Sequence, residues 1–283
     1  EGTAIEGATV RLGSRVTTTD VNGNYAIVGV EVGEYNMAIT KAGYQSYESV
    51  VEVDAEAENV FNATLQPKAN LDLNNYDSIT SDVMKVYIGK EFPLVARYEM
   101  IGKENTFFRG NETALNTVVI NGCTLEPEVT VTETTTDSRT YEMHCQHTDD
   151  SYNIDVILTV KISVKNNTLT WEVTDIQAEK DSQAIASIDV PSLSLLSVDA
   201  AETGANFAGA QVSTTTTSCG DVFIDFEDGF VPSNKDGYLY AFLQNGKLSA
   251  GLFSNSEAEG DKRVIRVNGA DTITLTSAPW YYE

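Results

Sequence analysis

Alternation of apolar and polar residues is the strongest pattern in this chain, and it is clearest over residues 152–164. Every second residue there is apolar, namely Tyr152, Ile154, Val156, Leu158, Val160, Ile162 and Val164. Successive side chains of a β-strand point to opposite faces, so this period of two predicts one long strand with a buried face. Residues 165–167 (Lys-Asn-Asn) predict a tight turn, and Leu169, Trp171 and Val173 continue the alternation in the returning strand.

A second hairpin is predicted nearer the C-terminus by the pair Asn245-Gly246. This dipeptide tolerates the positive φ angles of a two-residue turn, and it is the strongest short signal for a hairpin. An alternating run over residues 238–242 precedes the pair, and another over residues 248–252 follows it.

A third hairpin is indicated by Asn268-Gly269, after which Ile273 and Leu275 face one way and the intervening threonines face the other. No convincing amphipathic helix separates these runs. Long antiparallel strands joined by tight turns predict a large antiparallel β-supersandwich of two stacked sheets for residues 70–283.

Residues 1–67 show shorter alternating runs separated by turn residues, and the first run places Ala8, Val10 and Leu12 on one face. Further short strands are predicted at Val16 to Thr18, Tyr25 and Ile27, Tyr35 to Ile39, Val51 and Val53, and Phe61 to Leu65. A glycine shortly before a tyrosine recurs at Gly23-Asn24-Tyr25, Gly33-Glu34-Tyr35 and Gly43-Tyr44. These residues resemble the carboxypeptidase regulatory-like, prealbumin-type sandwich family, which implies a small β-sandwich that serves as a spacer or interaction module.

The boundary between the two predicted domains is expected at residues 67–70 (Pro-Lys-Ala-Asn), because proline ends a strand. Since both domains are predicted to consist of strands, the whole chain is predicted to be all-β.

The charge balance narrows the class of partner. The chain has 42 acidic and 18 basic residues and a formal net charge of −24, and the acidic residues are spread along its length. This balance argues against nucleic acid or an anionic membrane as partner and suits a secreted or cell-surface protein that meets neutral or cationic ligands.

No apolar run approaches the roughly 20 residues of a membrane-spanning helix, so membrane insertion is not expected. Both ends, Glu1 and Glu283, are expected to be cut from a longer protein.

Candidates for metal binding are weak. His144 and His147 are three residues apart, so on a strand they point to opposite faces and would not share one ion. Residues 20–24 (Asp-Val-Asn-Gly-Asn) resemble a calcium loop superficially, but the glycine comes too early and the later glutamate is missing, which favours a turn. Three cysteines, Cys123, Cys145 and Cys219, are too few for a disulfide scaffold, although Cys123 and Cys145 could form one bridge. No metal or cofactor is therefore expected.

Paired carboxylates are candidate catalytic groups because glycosidases use two across the sugar bond. Asp225 and Glu227 would share one face of a strand, but surface charge or a weak calcium site with Asp228 is the better interpretation in so acidic a chain. No catalytic residue is predicted. The aromatic run Trp280, Tyr281 and Tyr282 is the candidate ligand-binding site, by stacking on sugars or by packing against a neighbouring domain, whereas Trp171 is predicted to pack in the core.

Three segments carry a second resemblance: residues 238–242 (YLYAF), residues 248–256 (LSAGLFSNS) and residues 278–282 (APWYY). They are similar to the endo-α-N-acetylgalactosaminidase family, in which a galactose-mutarotase-like supersandwich precedes a catalytic barrel. The resemblance covers about residues 70–283 and implies a parent enzyme that releases a galactosyl-N-acetylgalactosamine disaccharide from mucin-type glycoproteins. The barrel would follow this chain, so none of the family's catalytic residues is assigned to it.

Three hypotheses for function follow. The first is a non-catalytic region of a secreted or cell-surface glycoside hydrolase that supports the barrel and contacts carbohydrate or glycoprotein. The second is a free-standing carbohydrate- or protein-binding adhesin. The third is a self-contained mutarotase-like or lyase enzyme, which would need a histidine beside a carboxylate, and His144 and His147 are the two histidines available.

Overall fold

The computed structural model describes residues 2–41, 43–68, 71–199, 202, 204–212, 219–225, 236–256, 262–268 and 272–282; for residues 211, 212, 219–225, 236 and 268 it describes the backbone alone. Within these ranges the regular structure consists of β-strands and one short 3₁₀ turn, Leu73–Asn75. The predicted all-β class is confirmed. Over the same ranges, no helix has the length and apolar character needed to cross a bilayer.

The N-terminal part contains one four-stranded antiparallel sheet. Its strands are β1 (Thr9–Leu12), β2 (Arg15–Thr18), β3 (Gly33–Thr40) and β4 (Tyr47–Val53). They lie in the order β2-β1-β3-β4. One face buries a separate small core made of Ala8, Val10, Leu12, Met37, Ile39, Val51, Val53 and Leu65.

Two segments predicted as strands in this part, around Tyr25 and Ile27 and around Phe61 to Leu65, are not strands. They cover the sheet as irregular chain, and the hydroxyl of Tyr25 donates a hydrogen bond to the carbonyl of Phe61 at 2.7 Å. These two segments are therefore joined by a contact between a side chain and the backbone. The predicted turn at residues 20–24 is confirmed, because the Asp20 carboxylate accepts hydrogen bonds from the amides of Asn22 and Asn24 at 2.8 Å each.

The chain remains attached to the small sheet up to residue 68. Tyr44 pairs with Pro67 in an isolated bridge, and the amide of Lys68 donates to the carbonyl of Gly43 at 2.8 Å. Ala69 and Asn70, the rest of the predicted boundary, lie outside the described residues.

The described residues of the larger part form four sheets around one core. Its strands are β5 (Tyr76–Thr80), β6 (Met84–Gly89), β7 (Val95–Met100), β8 (Phe107–Arg109), β9 (Val118–Ile120), β10 (Cys123–Leu125), β11 (Glu128–Thr134), β12 (Ser138–Thr148), β13 (Asn153–Lys165), β14 (Thr168–Ala178), β15 (Ser187–Asp189), β16 (Leu196–Asp199), β17 (Ala205–Val212), β18 (Cys219–Asp225), β19 (Asp236–Tyr238), β20 (Tyr240–Asn245), β21 (Ser249–Leu252), β22 (Val264–Asn268), β23 (Thr272–Ser277) and β24 (Trp280–Tyr281).

An eight-stranded sheet, β19-β22-β23-β16-β8-β7-β6-β5, forms the largest layer. Three four-stranded sheets complete the structure: β11-β12-β13-β14, β18-β17-β20-β21 and β10-β9-β15-β24. Buried residues of all four sheets belong to one continuous hydrophobic cluster. Each sheet therefore depends on the others to cover its apolar face, and the described strands form four sheets where two stacked sheets were predicted.

The predicted long strand is β13, of 13 residues. Ile154, Val156, Leu158, Val160 and Ile162 are at most 1% exposed, so the alternation is confirmed as a buried face. Its hairpin with β14 pairs residue 165 with residue 168, and Asn166 adopts a positive φ of 53° in the turn.

The predicted run over residues 238–242 is divided between two sheets. Tyr238 ends β19 in the eight-stranded sheet and is fully buried. Leu239 donates its amide to the carbonyl of Ala210, and the chain then continues as β20 in another sheet. Tyr240 and Phe242 consequently face solvent, whereas Ala241 fills the core.

The other two hairpins are confirmed. Strands β20 and β21 pair around Asn245-Gly246, where Gly246 has a φ of 76°. Strands β22 and β23 pair in antiparallel register, although Gly269 of their predicted turn lies outside the described residues. Cys123 and Cys145 are buried free thiols, so they do not form the bridge considered from the sequence, and the side chain of Cys219 lies outside the described residues.

Replacing Leu158 with alanine tests the shared core. The side chain is fully buried in the middle of β13, so Leu158→Ala should lower the free energy of unfolding by about 2–5 kcal/mol. Lys161→Ala, on the opposite face of the same strand, should change it by no more than about 0.5 kcal/mol. Urea denaturation followed by circular dichroism measures both, and equal losses would contradict the assigned faces.

Candidate functional site

A groove crosses the face of the eight-stranded sheet that is turned away from the core. It encloses about 670 Å³ and is lined by residues of β8, β16, β22 and β23 and by the segments around residues 110–113 and 189–194. We call it the arginine groove, after Arg109 in its wall. Ile273 and Leu275 of β23 point into the core while Thr272, Thr274 and Thr276 line the groove. The predicted division of β23 into an apolar and a threonine face is thus confirmed.

Arg109 is fixed by three carboxylates. Its guanidinium lies 3.5 Å from Asp199, 3.5 Å from Glu112 and 3.8 Å from Glu202. The side chain of Asp199 is 2% exposed and also forms an ion pair with Lys68. Because each group holds the others in place, the arginine presents its remaining surface to the groove in a defined position.

Glu202 is the third carboxylate that contacts Arg109. Burial raises the pKa of Glu202 and outweighs the opposing effects, which are the charge of Arg109 and the hydrogen bond from the amide of Asp199 at 3.2 Å. Asp199 itself is enclosed between two cations and almost inaccessible. This arrangement provides fixed charge beside the hydroxyl groups that line the groove.

A second cleft, of about 620 Å³, lies at one end of the sheet β11-β12-β13-β14 and contains both histidines. Nε2 of His144 lies 2.8 Å from Oδ1 of Asp155, and Nε2 of His147 lies 2.8 Å from Oδ2 of Asp149. The hydrogen bond with His147, together with the amides of Ser151 and Tyr152, lowers the pKa of Asp149 to about 2. The pKa of Asp155 is also lowered, chiefly by the hydrogen bond with His144.

The two histidines thus contact different carboxylates, as their spacing on a strand predicts. Among the described residues there is no group of three or more His, Cys, Asp or Glu side chains arranged to hold a metal ion. The pair of His144 and Asp155 matches in type what the mutarotase-like hypothesis requires. However, this cleft shares no lining residue with the arginine groove.

The three residues of the predicted aromatic site differ in their contacts and exposure. Trp280 stacks on Trp171 with ring centroids 5.4 Å apart and an interplanar angle of 12°. Trp171 also packs against the core, as predicted, and its indole N–H donates to the carbonyl of Pro93 at 2.7 Å. Tyr281 and Tyr282 are 57% and 37% exposed. A ligand role for Trp280, Tyr281 and Tyr282 stays a prediction, in which the two tyrosines are the accessible members.

The carboxylate pair considered from the sequence falls outside the described side chains. Asp225 ends β18, where only the backbone is described, and Glu227 and Asp228 lie outside the described residues.

Sequence reasoning did not find the network around Arg109. Arg109 and Asp199 are 90 residues apart in sequence, and isolated charges are common in so acidic a chain. The one available signal was the apolar run over residues 195–198, since a buried strand that ends in a carboxylate requires a partner for the charge.

Comparison with protein families adds an independent finding. A family model described as a galactose mutarotase-like fold domain matches residues 79–283. A second model, described as a carboxypeptidase regulatory-like domain, matches residues 1–66. The first match includes the strands that form the arginine groove, the histidine cleft and the C-terminal aromatic run.

Glutamine in place of Glu202 tests the burial of this carboxyl. A raised folded pKa means that the stability contributed by the protonated group is present below the ordinary pKa of 4.5 and is lost as pH rises through the folded pKa. Glutamine does not ionise, so Glu202→Gln does not lose this stability as pH rises. Its free energy of unfolding relative to that of wild type should therefore increase from about pH 4 to about pH 7. Urea denaturation across this range measures the difference, with the exposed Glu104→Gln as control. A difference that stays constant with pH would contradict the assignment.

Proposed function

Because the chain belongs to the galactose mutarotase-like fold domain family, we propose that it is the non-catalytic region of a secreted or cell-surface glycoside hydrolase acting on mucin-type O-glycans. The two family matches make it a carbohydrate-related β-sandwich module. The finer assignment rests on the arginine groove together with the sequence resemblance to endo-α-N-acetylgalactosaminidases.

The chemistry of the groove suits a neutral sugar. Each sugar hydroxyl both donates and accepts hydrogen bonds. The hydroxyl of Thr274 donates to the carbonyl of Val267 at 3.3 Å and can still accept a hydrogen bond from a sugar. Arg109 and Glu112 are already paired, so the groove offers charge-assisted hydrogen bonds without requiring a charged ligand. This combination of fixed polar groups and hydroxyls is the observation that carries the proposal.

Catalysis belongs, in this proposal, to a barrel domain that follows the chain. Asp199 is held by Lys68 and Arg109, and it has neither the exposure nor the freedom of a nucleophile. The supersandwich would then support the barrel and form one wall of the glycan cleft.

The small N-terminal sheet fits a spacer in this arrangement. Lys68, directly after the segment paired with that sheet, forms its ion pair with Asp199 of β16. This contact ties the connecting segment to the larger part at the edge of the arginine groove.

Titration with the neutral disaccharide galactosyl-N-acetylgalactosamine tests the groove. Wild type should bind it saturably, and Thr274→Val should weaken the affinity about threefold to tenfold, because one hydrogen bond is lost while the side-chain shape is kept. Thr130→Val, on an exposed face of β11, is the matched control and should leave the affinity unchanged. Isothermal titration calorimetry or NMR titration provides the measurement.

Two results would contradict the proposal. One is equal affinity in wild type and Thr274→Val. The other is hydrolysis of a galactosyl-N-acetylgalactosaminide by this polypeptide alone. The parent reading frame separates the two leading hypotheses: several hundred residues of alternating strand and helix after Glu283 support the hydrolase, whereas a stop codon or wall anchor there supports the adhesin.

A further inference from the structure

Three aromatic rings form a cluster on the solvent face of the sheet β18-β17-β20-β21. Tyr240 and Phe242 lie on β20, and Phe253 directly follows β21. The Phe242 ring packs edge-on against Tyr240 at 5.8 Å and against Phe253 at 5.8 Å, and Tyr240 and Phe253 are 6.0 Å apart and inclined by 28°. We call these three side chains the aromatic platform.

The platform is exposed even though its strand is anchored in the core. The exposed fractions of Tyr240, Phe242 and Phe253 are 36%, 39% and 68%. Ala241 and Leu243, which alternate with the two β20 rings along the strand, are buried. An exposed apolar patch of adjoining rings is unfavourable in water, and such patches in soluble proteins commonly mark binding sites. The platform shares no residue with the arginine groove or with the histidine cleft.

The rings are held in place before any ligand binds. Gly251 lies opposite Phe242 in the β20–β21 pair, and a Cβ at Gly251 would come within 2.7 Å of the Phe242 ring and 3.1 Å of the Phe253 ring. The rings therefore rest on the glycine backbone. On the other side, the partners of Phe242 and Tyr240 in β17 are Ala208 and Ala210, whose small side chains leave the rings uncovered.

Two neutral amide side chains lie beside the platform among the described residues. Asn206 and Gln244 pair across β17 and β20, and the amide of Asn206 donates to the amide oxygen of Gln244 at 3.3 Å. Lys247, in the adjoining turn, is directed to the carbonyl of Asn105 at 2.8 Å. In a chain of net charge −24, the described side chains of this patch thus offer rings and amides to an uncharged ligand.

We propose that the aromatic platform is a second glycan-binding surface, separate from the arginine groove, which stacks the apolar faces of neutral sugar rings. Fixed planar rings beside amide groups match a pyranose, which has an apolar face and a rim of hydroxyls. A stable protein interface buries roughly 800 Å² on each partner, whereas an aromatic side chain supplies at most about 150–250 Å² and these three are already partly buried. The three described rings are therefore of a size to hold a short glycan, and by themselves they are too small for a stable protein interface.

Phe253→Ala is the direct test, measured by NMR titration with the neutral galactosyl-N-acetylgalactosamine disaccharide and with neutral oligosaccharides that extend it. Wild type should show saturable shifts of the aromatic signals of the platform, and Phe253→Ala should weaken that binding about tenfold. Phe253→Leu, which keeps apolar bulk but removes the planar ring, should lose binding to a similar extent. Val50→Ala, at a position 64% exposed in the small sheet, is the matched control and should bind as wild type.

The two sites are distinguished by Thr274→Val, which should leave the platform titration unchanged even if the groove binds no sugar. Unchanged affinity in both Phe253 variants would overturn the inference, as would the absence of platform shifts with every neutral glycan in the panel. Self-association of wild type that Phe253→Ala abolishes, seen by analytical ultracentrifugation, would also overturn it in favour of protein docking.

Discussion

The strict alternation of apolar and polar residues in paired strands is the constraint on which the rest of this structure depends. It gives each strand one face that must be buried, and the four sheets of the larger part satisfy this requirement in one common core. The opposite faces are then free to carry polar groups without loss of stability. The arginine groove and the aromatic platform lie on such outward faces, whereas the histidine cleft lies at one end of a sheet.

Local patterns predicted the elements that depend on neighbouring residues. The buried face of β13, its hairpin with β14 and the threonine face of β23 follow from period-two patterning and turn chemistry alone. The run over residues 238–242 was harder, because the chain leaves one sheet after Tyr238 and enters another. The pattern continues through this point, but the buried face changes, and only the tertiary structure determines where.

Most of the candidate sites could not be predicted from the sequence, because they too depend on the tertiary structure. The contacts of Arg109 with Asp199 and Glu202 join residues far apart in the chain, and the one local signal is the mostly apolar segment that precedes Asp199. Trp280 was identified as an aromatic of interest, yet its partner Trp171 comes from a strand more than a hundred residues earlier. From strand geometry, sequence reasoning predicted that His144 and His147 point to opposite faces. In the structure both line one cleft, but each contacts a different carboxylate.

Because the sheets share one core, they should unfold together and not one at a time. Native-state hydrogen exchange should show the buried amides of β13 and those of β6 and β16 opening in a single event with the same free energy, because neither sheet can cover its apolar face without the other. If the sheet β11-β12-β13-β14 exchanged at a clearly lower free energy, as an independent unit, the sheets would not depend on one common core and the account would be contradicted.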